Sequence, residues 1–289
     1  EVLLPATPRL GLFAIPAEGS EVGEGSGKTY LARVLAALCA VPTLETEPTG
    51  PALAGIMGLM HATLFLDEGA GYFSDGAQHN MSKAILENGY SKAGPAAMSG
   101  STKRVWGNKL YSVGNFGPVA LVTVATPSLM GNTRLRPLLS RFIKLYFRQA
   151  PEGYRPPRIR PAVWQGIDVY ARHLSNLLME AAPTLASATF ITPDFLSPRK
   201  AEIWEPMFVM AAWVDKDLME RGYEPIWTKR ILAACDWIEN SGEEKEQIAT
   251  WVGRAVSTAL APALADTFAD KARQSNDRLI QIGKWLEEK

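Results

Sequence analysis

Cysteine and histidine are scarce in this 289-residue chain. Two cysteines, Cys39 and Cys235, stand far apart, which excludes a disulfide scaffold and a cysteine-rich zinc site. Three histidines, His61, His79 and His173, have no metal-ligand spacing. Long apolar runs are also missing: none reaches the ~18–20 residues of a membrane span, and Glu1 opens no signal-peptide pattern. Net charge is absent too, since 30 Lys and Arg balance 30 Asp and Glu. The whole-chain charge therefore points to neither a polyanion nor a membrane. These absences lead to the expectation of a soluble, cytoplasmic protein of a reducing compartment with no membrane partner. Glu1 in place of methionine leads to the further expectation of a tag, a processed start or a missing upstream region. The remaining composition, 47% apolar and 21% charged, is that of a globular chain long enough for one large domain or two modest ones.

Short apolar runs alternate with helical patterns through the first half. Residues 10–15 (LGLFAI), 63–66 (TLFL), 119–125 (VALVTVA) and 142–147 (FIKLYF) read as buried strands. A helix is expected over residues 28–38. Strands separated by helical stretches predict an α/β fold, a parallel sheet sandwiched by helices, over residues 1–150. Residues 151–161 (PEGYRPPRIRP) have no periodicity and read as a linker. Residues 162–289 read as an all-α region, with helical patterns over 164–182, 199–213, 228–239, 243–261 and 266–287. The tryptophans of this half sit mostly within apolar stripes and read as core packing.

The turn after the first strand holds Gly23, Gly25, Ser26, Gly27, Lys28 and Thr29. Glycines let backbone N–H groups converge on phosphate oxygens, and a helix starting near Lys28 adds the positive end of its dipole. Lys28 would reach the β- and γ-phosphates of ATP, and the Thr29 hydroxyl would ligate Mg²⁺. The pattern G-x-x-x-x-G-K-[ST] requires glycine at position 22, where this chain has Val22. Alone, the turn also fits a glycine-rich surface loop with a chance Gly-Lys-Thr. The run at 63–66 leads directly into Asp67 and Glu68, about forty residues past the lysine. A buried strand delivering an acid to its carboxyl edge places Asp67 beside the glycine turn. There Asp67 would hold Mg²⁺, and Glu68 would orient or deprotonate the attacking water. Both motifs in this order predict a nucleoside triphosphatase.

No acid occurs between Glu87 and Glu152, where average composition would place about six or seven. The same stretch carries nine lysines and arginines. It reads either as a phosphate-attracting face for nucleic acid or as a basic face paired with the acidic C-terminal half. Within it, residues 103–113 (KRVWGNKLYSV) have the form of a β-hairpin about Gly107 and Asn108. Lys103, Arg104 and Lys109 would then sit on a finger suited to DNA backbone tracking. Trp106 and Tyr111 would either stack on bases or pack the hairpin down.

These motifs, with the strand ending at Thr126 and the following Leu138, Leu139, Ser140, Arg141 and Phe142, resemble an AAA+ P-loop ATPase. More narrowly, the chain resembles ATPase domains of actinobacteria and their phages that are also found fused to primase-polymerases. The narrower likeness rests on residues 25–29, 64–68, 85–90 (ILENGY), 116–120 (FGPVA) and 202–206 (EIWEP). The resemblance implies a homo-oligomeric ring, a hexamer, in which Arg141 is the arginine finger completing the neighbour's site. Arg134 or Arg136 could serve instead. It implies a γ-phosphate sensor at Thr126 or Thr123, and a nucleotide-sensing lid arginine at Arg199. It places the hairpin where DNA-processing relatives insert a finger into the ring pore. The expected activity is Mg-ATP hydrolysis coupled to helicase or translocase work on DNA in phage or mobile-element replication. The alternatives are a nucleotide-gated helicase loader or adaptor with a replication-protein partner, and a regulatory ATPase switch that touches no nucleic acid. An amphipathic segment at 266–287 is a further candidate docking helix.

Overall fold

In a computed structural model of the chain, residues 7, 9–16, 26–67, 77–89, 101–106, 108–149 and 161–240 are described. The chain divides into two compact units, Glu1–Gly242 and Glu243–Lys289, and all described residues belong to the first. The helical patterns expected at 243–261 and 266–287 and nearly all of the linker lie outside the described residues.

Five strands form one parallel sheet: β1 (Arg9–Ala14), β2 (Pro42–Thr46), β3 (Thr63–Asp67), β6 (Val119–Val124) and β7 (Ile143–Phe147). Their spatial order is β2-β3-β6-β1-β7. Helices α1 (Lys28–Leu38), α2 (Gly50–Leu59), α3 (Ala77–Asn88), α4 (Pro127–Gly131) and α5 (Arg136–Leu139) connect them. The architecture is an α/β fold. Strands β4 (Ser101–Trp106) and β5 (Lys109–Gly114) form a separate antiparallel hairpin.

Apolar runs become central strands here because both sheet faces are covered, so successive side chains all need an apolar environment. Phe13, Leu64, Leu66, Val119 and Leu121 face one way, into a core with Leu53 and Met57 of α2, Ile85 and Leu86 of α3, and Leu138 and Leu139 of α5. Leu12, Phe65, Ala120 and Val122 face the other way, against Ala32 and Ala36 of α1. The hairpin lies against α2 and α3 rather than standing free. An isolated two-stranded hairpin is marginal in water, so this support fixes it.

Three longer helices follow: α6 (Pro161–Ser187), α7 (Pro198–Glu220) and α8 (Trp227–Asn240). Ile203, Trp204, Phe208 and Cys235 form a core that takes in Leu10 and Ile143, sealing the β7 edge of the sheet. Trp204 is buried in this core, and its Nε1 donates to Glu239 Oε1 at 2.8 Å. Lys200 pairs with the same carboxylate at 3.1 Å.

The start of α8 is held by a side chain of α7. Asp215, buried, accepts N–H groups of Ile226 at 2.9 Å and Trp227 at 2.8 Å on one oxygen, and of Thr228 at 2.7 Å on the other. Burial by itself raises the carboxyl pKa. Hydrogen bonds from the backbone N–H of Thr228 and Trp227, the Thr228 side chain and the Ile226 N–H outweigh it and hold the pKa below the ordinary value. A folded-state pKa below the unfolded value of ~3.9 means stability that is complete above pH 4 and lost as pH falls further. Asp215→Asn should cost about 1–3 kcal/mol at pH 7. Urea unfolding from pH 7 to pH 3 checks this: the gap between the two proteins should narrow below about pH 4. A gap that stays constant would show that the charge contributes nothing.

Candidate functional site

The topology leaves one natural crevice. From β1 the chain crosses through α1 to β2 at the far edge, while from β6 it crosses through α4 and α5 to β7 on the other side of β1. Adjacent strands whose connections leave in opposite directions open a cleft at their carboxyl ends, where ligands of open α/β sheets bind. Four sequence-derived residues come to that edge: Gly27, Lys28, Thr29 and Asp67.

Gly27 has φ 79°, a left-handed backbone that a side chain would strain, although a Cβ there would meet nothing within 4 Å. Glycine is needed here for conformation and not for space. The turn at Gly27 starts α1, and among the described residues no side chain caps that helix and no acid lies in its first turn. The positive end of the dipole is thus left for a ligand to neutralise. Ser26 Oγ, beside it, is buried without a hydrogen-bond partner among the described residues.

Asp67 closes β3. Register pairs Leu66 with Leu121, and alternation puts Asp67 on the same face as Phe65, the face covered by α1. The Thr29 hydroxyl donates to Asp67 Oδ1 at 3.3 Å. Strand β6 lies between β1 and β3, so the acid meets the first turn of α1 across one intervening strand. Among the described residues no cluster of three or more His, Cys, Asp or Glu could hold a metal. One carboxylate plus one hydroxyl is a donor set of the kind a Mg²⁺ ion would take together with phosphate and water. The donor set therefore fits Mg²⁺.

The other candidates distribute as follows. Gly23, Gly25 and Glu68 lie outside the described residues. Thr126 caps α4, its hydroxyl accepting from Leu129 N at 3.2 Å and lying 3.0 Å from Ser128 Oγ. Thr123 is buried, and its hydroxyl has no partner among the described residues; it pairs in register with Phe13 on the face away from α1. Lys103 and Arg104 fall on β4, opposite Ser112 and Tyr111, and exposed Lys109 opens β5. Arg134 and Arg136 are exposed around the start of α5. Arg141 stands two residues before β7, at the amino end of the sheet, with Nη1 donating to Pro137 O at 2.6 Å. Arg199 donates to Ser140 Oγ at 3.4 Å, which brings it beside Arg141 and not beside Thr29.

Two residues escaped the sequence reading. Thr46 ends β2 in register with Asp67, at the same carboxyl edge; finding it required recognising the short strand 42–46. Arg9 opens β1 fully buried, and its signal was a lone charge leading an otherwise apolar strand. A cavity of about 620 Å³ lies elsewhere, between the C-terminal end of α1 and the face of α6 bearing Trp164, Asp168 and Arg172. It is at the other end of α1 from Thr29.

No protein-family model matches the chain, and neither does any curated protein.

Proposed function

We propose that the chain is an AAA+-type ATPase that binds Mg-ATP at the carboxyl edge of its sheet, assembles as a ring and works on DNA as a helicase or translocase in phage or mobile-element replication. The single observation that carries this reading is the Thr29 hydroxyl on the Asp67 carboxylate, at the uncapped start of α1 beside left-handed Gly27. In this reading the α1 amino end and Lys28 hold the phosphates, and Thr29 with Asp67 holds the metal. Glu68 orients water. A metal held there would supply positive charge against the charge that develops on the phosphate oxygens. Arg141 sits at the opposite end of the strands, roughly 17 Å away by strand length. That placement favours a role in the neighbouring subunit over one in its own site. Thr126 or Thr123 remains the proposed sensor, while Arg199, beside Arg141, is placed for nucleotide sensing only in the neighbouring subunit's site.

The acid-free stretch supports a nucleic-acid partner, because it supplies the hairpin, β6, α4, α5 and β7 without one carboxylate. A loader or adaptor function is the second reading. It is favoured by Tyr170, Leu174 and Leu177, spaced as one exposed apolar stripe along α6. ATPase rate with and without single-stranded DNA, alongside unwinding of a forked duplex, tests both. Stimulation with unwinding supports the helicase, stimulation without unwinding the loader, and no stimulation a switch. Charge reversal at Lys103, Arg104 and Lys109 together should bring the DNA-stimulated rate down to the DNA-free rate. It should also flatten the salt dependence of DNA binding. Full stimulation in that variant would remove the hairpin from the DNA interface.

A further inference from the structure

Arg9 is the largest fully buried side chain among the described residues, at 0% exposure. Guanidinium cannot shed its charge on burial, so its surroundings must compensate it. Nη1 donates to the carbonyl of Leu86, in the last turn of α3. That turn has no basic residue of its own, so Arg9 supplies from outside the cation that the negative end of a helix favours. Its guanidinium carbon also lies 5.9 Å from the ring centroid of Phe142, in a cation–π arrangement. Phe142 is itself 0% exposed and immediately follows Arg141.

Buried ions are often no more stabilising than well-packed hydrophobic residues of similar volume, so a buried guanidinium is not explained by stability alone. The charge therefore points to a positional task. We propose that Arg9 is a positioning residue for the arginine finger: it fixes Phe142, and through Phe142 the backbone of Arg141, to the first residue of β1. This rests on the reading of Arg141 as a finger acting in the neighbouring subunit. One strand then joins the two halves of the chemistry. The carboxyl end of β1 leads into the phosphate turn of its own site, and the amino end anchors the finger offered to the next.

Subunit mixing tests this. Lys28→Ala subunits lack a working site but keep an intact finger, whereas Arg141→Ala subunits keep the site and lack the finger. Mixing those two should restore ATPase activity. Arg9→Met alone should lower turnover at least ~10-fold, with ATP affinity within about twofold of the unsubstituted protein. Mixed with Lys28→Ala subunits, Arg9→Met should recover as Arg141→Ala does; mixed with Arg141→Ala, it should recover nothing. Arg9→Lys, which keeps charge without the planar fork, should fall between. If Arg9→Met does not fold, Phe142→Leu, which removes the ring and keeps an apolar side chain, should give the same mixing pattern. Unaltered turnover, failure of Lys28→Ala to rescue, or an ability to rescue Arg141→Ala would each overturn the assignment. If Lys28→Ala and Arg141→Ala do not complement each other, the finger reading has failed and the Arg9 assignment falls with it. If they do and Arg9→Met breaks the pattern, only the role of Arg9 is lost.

Discussion

Lys28→Ala should reduce Mg-ATP turnover by about 10²–10³-fold while leaving the fold at least as stable as before. The loss of rate follows from removing a cation placed where phosphate charge develops, beside a helix start that supplies only partial charges. The stability follows from the same location read in the opposite sense. A lysine at the amino end of α1 opposes the helix dipole, a cost of about 0.3–1 kcal/mol, and alanine is the better helix former. A residue kept for packing would lose stability and function together. A residue kept for phosphate should lose function alone. Steady-state ATPase and thermal melting on the same preparations check both parts. Retained turnover would remove Lys28 from the site. Lost turnover that tracks a lowered melting temperature would make the lysine structural.

What was legible in the sequence follows from how much each element buries. The strands at the centre of the sheet, β1, β3 and β6, are covered on both faces, and each therefore appears as an uninterrupted apolar run. β2, an edge strand, alternates between half-buried and exposed positions; its sequence PTLET carries no such run and gives no strand signal. α6 was expected to end at 182, before Pro183, yet it continues to Ser187. The proline lacks the N–H that would bond the carbonyl of Met179, but Met179 is 73% exposed, so water can satisfy the freed acceptor. The site itself was legible as two strings, the glycine turn with Lys28 and Thr29 and the acid after an apolar strand. Their juxtaposition was legible too, from an acid delivered to a strand's carboxyl edge; the insertion of β6 between β1 and β3 was not, because no local pattern encodes that crossover. Arg9 and Asp215 were missed for a related reason. Their partners, Leu86 at 77 residues' separation and Trp227 at 12, are backbone groups that carry no side-chain signature.

Gly89→Ala should be among the most destabilising single substitutions in the described fold, at about 3 kcal/mol or more. Its backbone is not in the left-handed region, so glycine is needed there for space alone. A Cβ at 89 would lie 1.9 Å from the carbonyl oxygen of buried Asn115 and 3.0 Å from Arg9 Nη2. Neither neighbour can retreat cheaply. Gly117 N donates to Gly89 O at 3.2 Å, Thr7 Oγ1 donates to Gly117 O at 3.0 Å, and Arg9 is tied to Leu86 three residues earlier. Relief of the clash must therefore break buried hydrogen bonds. Gly27 offers the opposite case, open space with a strained backbone. Gly27→Ala should cost only about 1–2 kcal/mol, and Gly27→Asn less, because asparagine tolerates that conformation. Urea midpoints of Gly27→Ala, Gly27→Asn, Gly89→Ala and Gly89→Ser separate the mechanisms. At 27 the side chain's conformational tolerance should set the cost, and at 89 any added atom should be costly, with Gly89→Ser no better than Gly89→Ala. A Gly89→Ala protein within ~0.5 kcal/mol of the original would mean that the end of α3 and the segment after the hairpin are not locked together, and the anchorage of Arg9 between them would lose one of its walls.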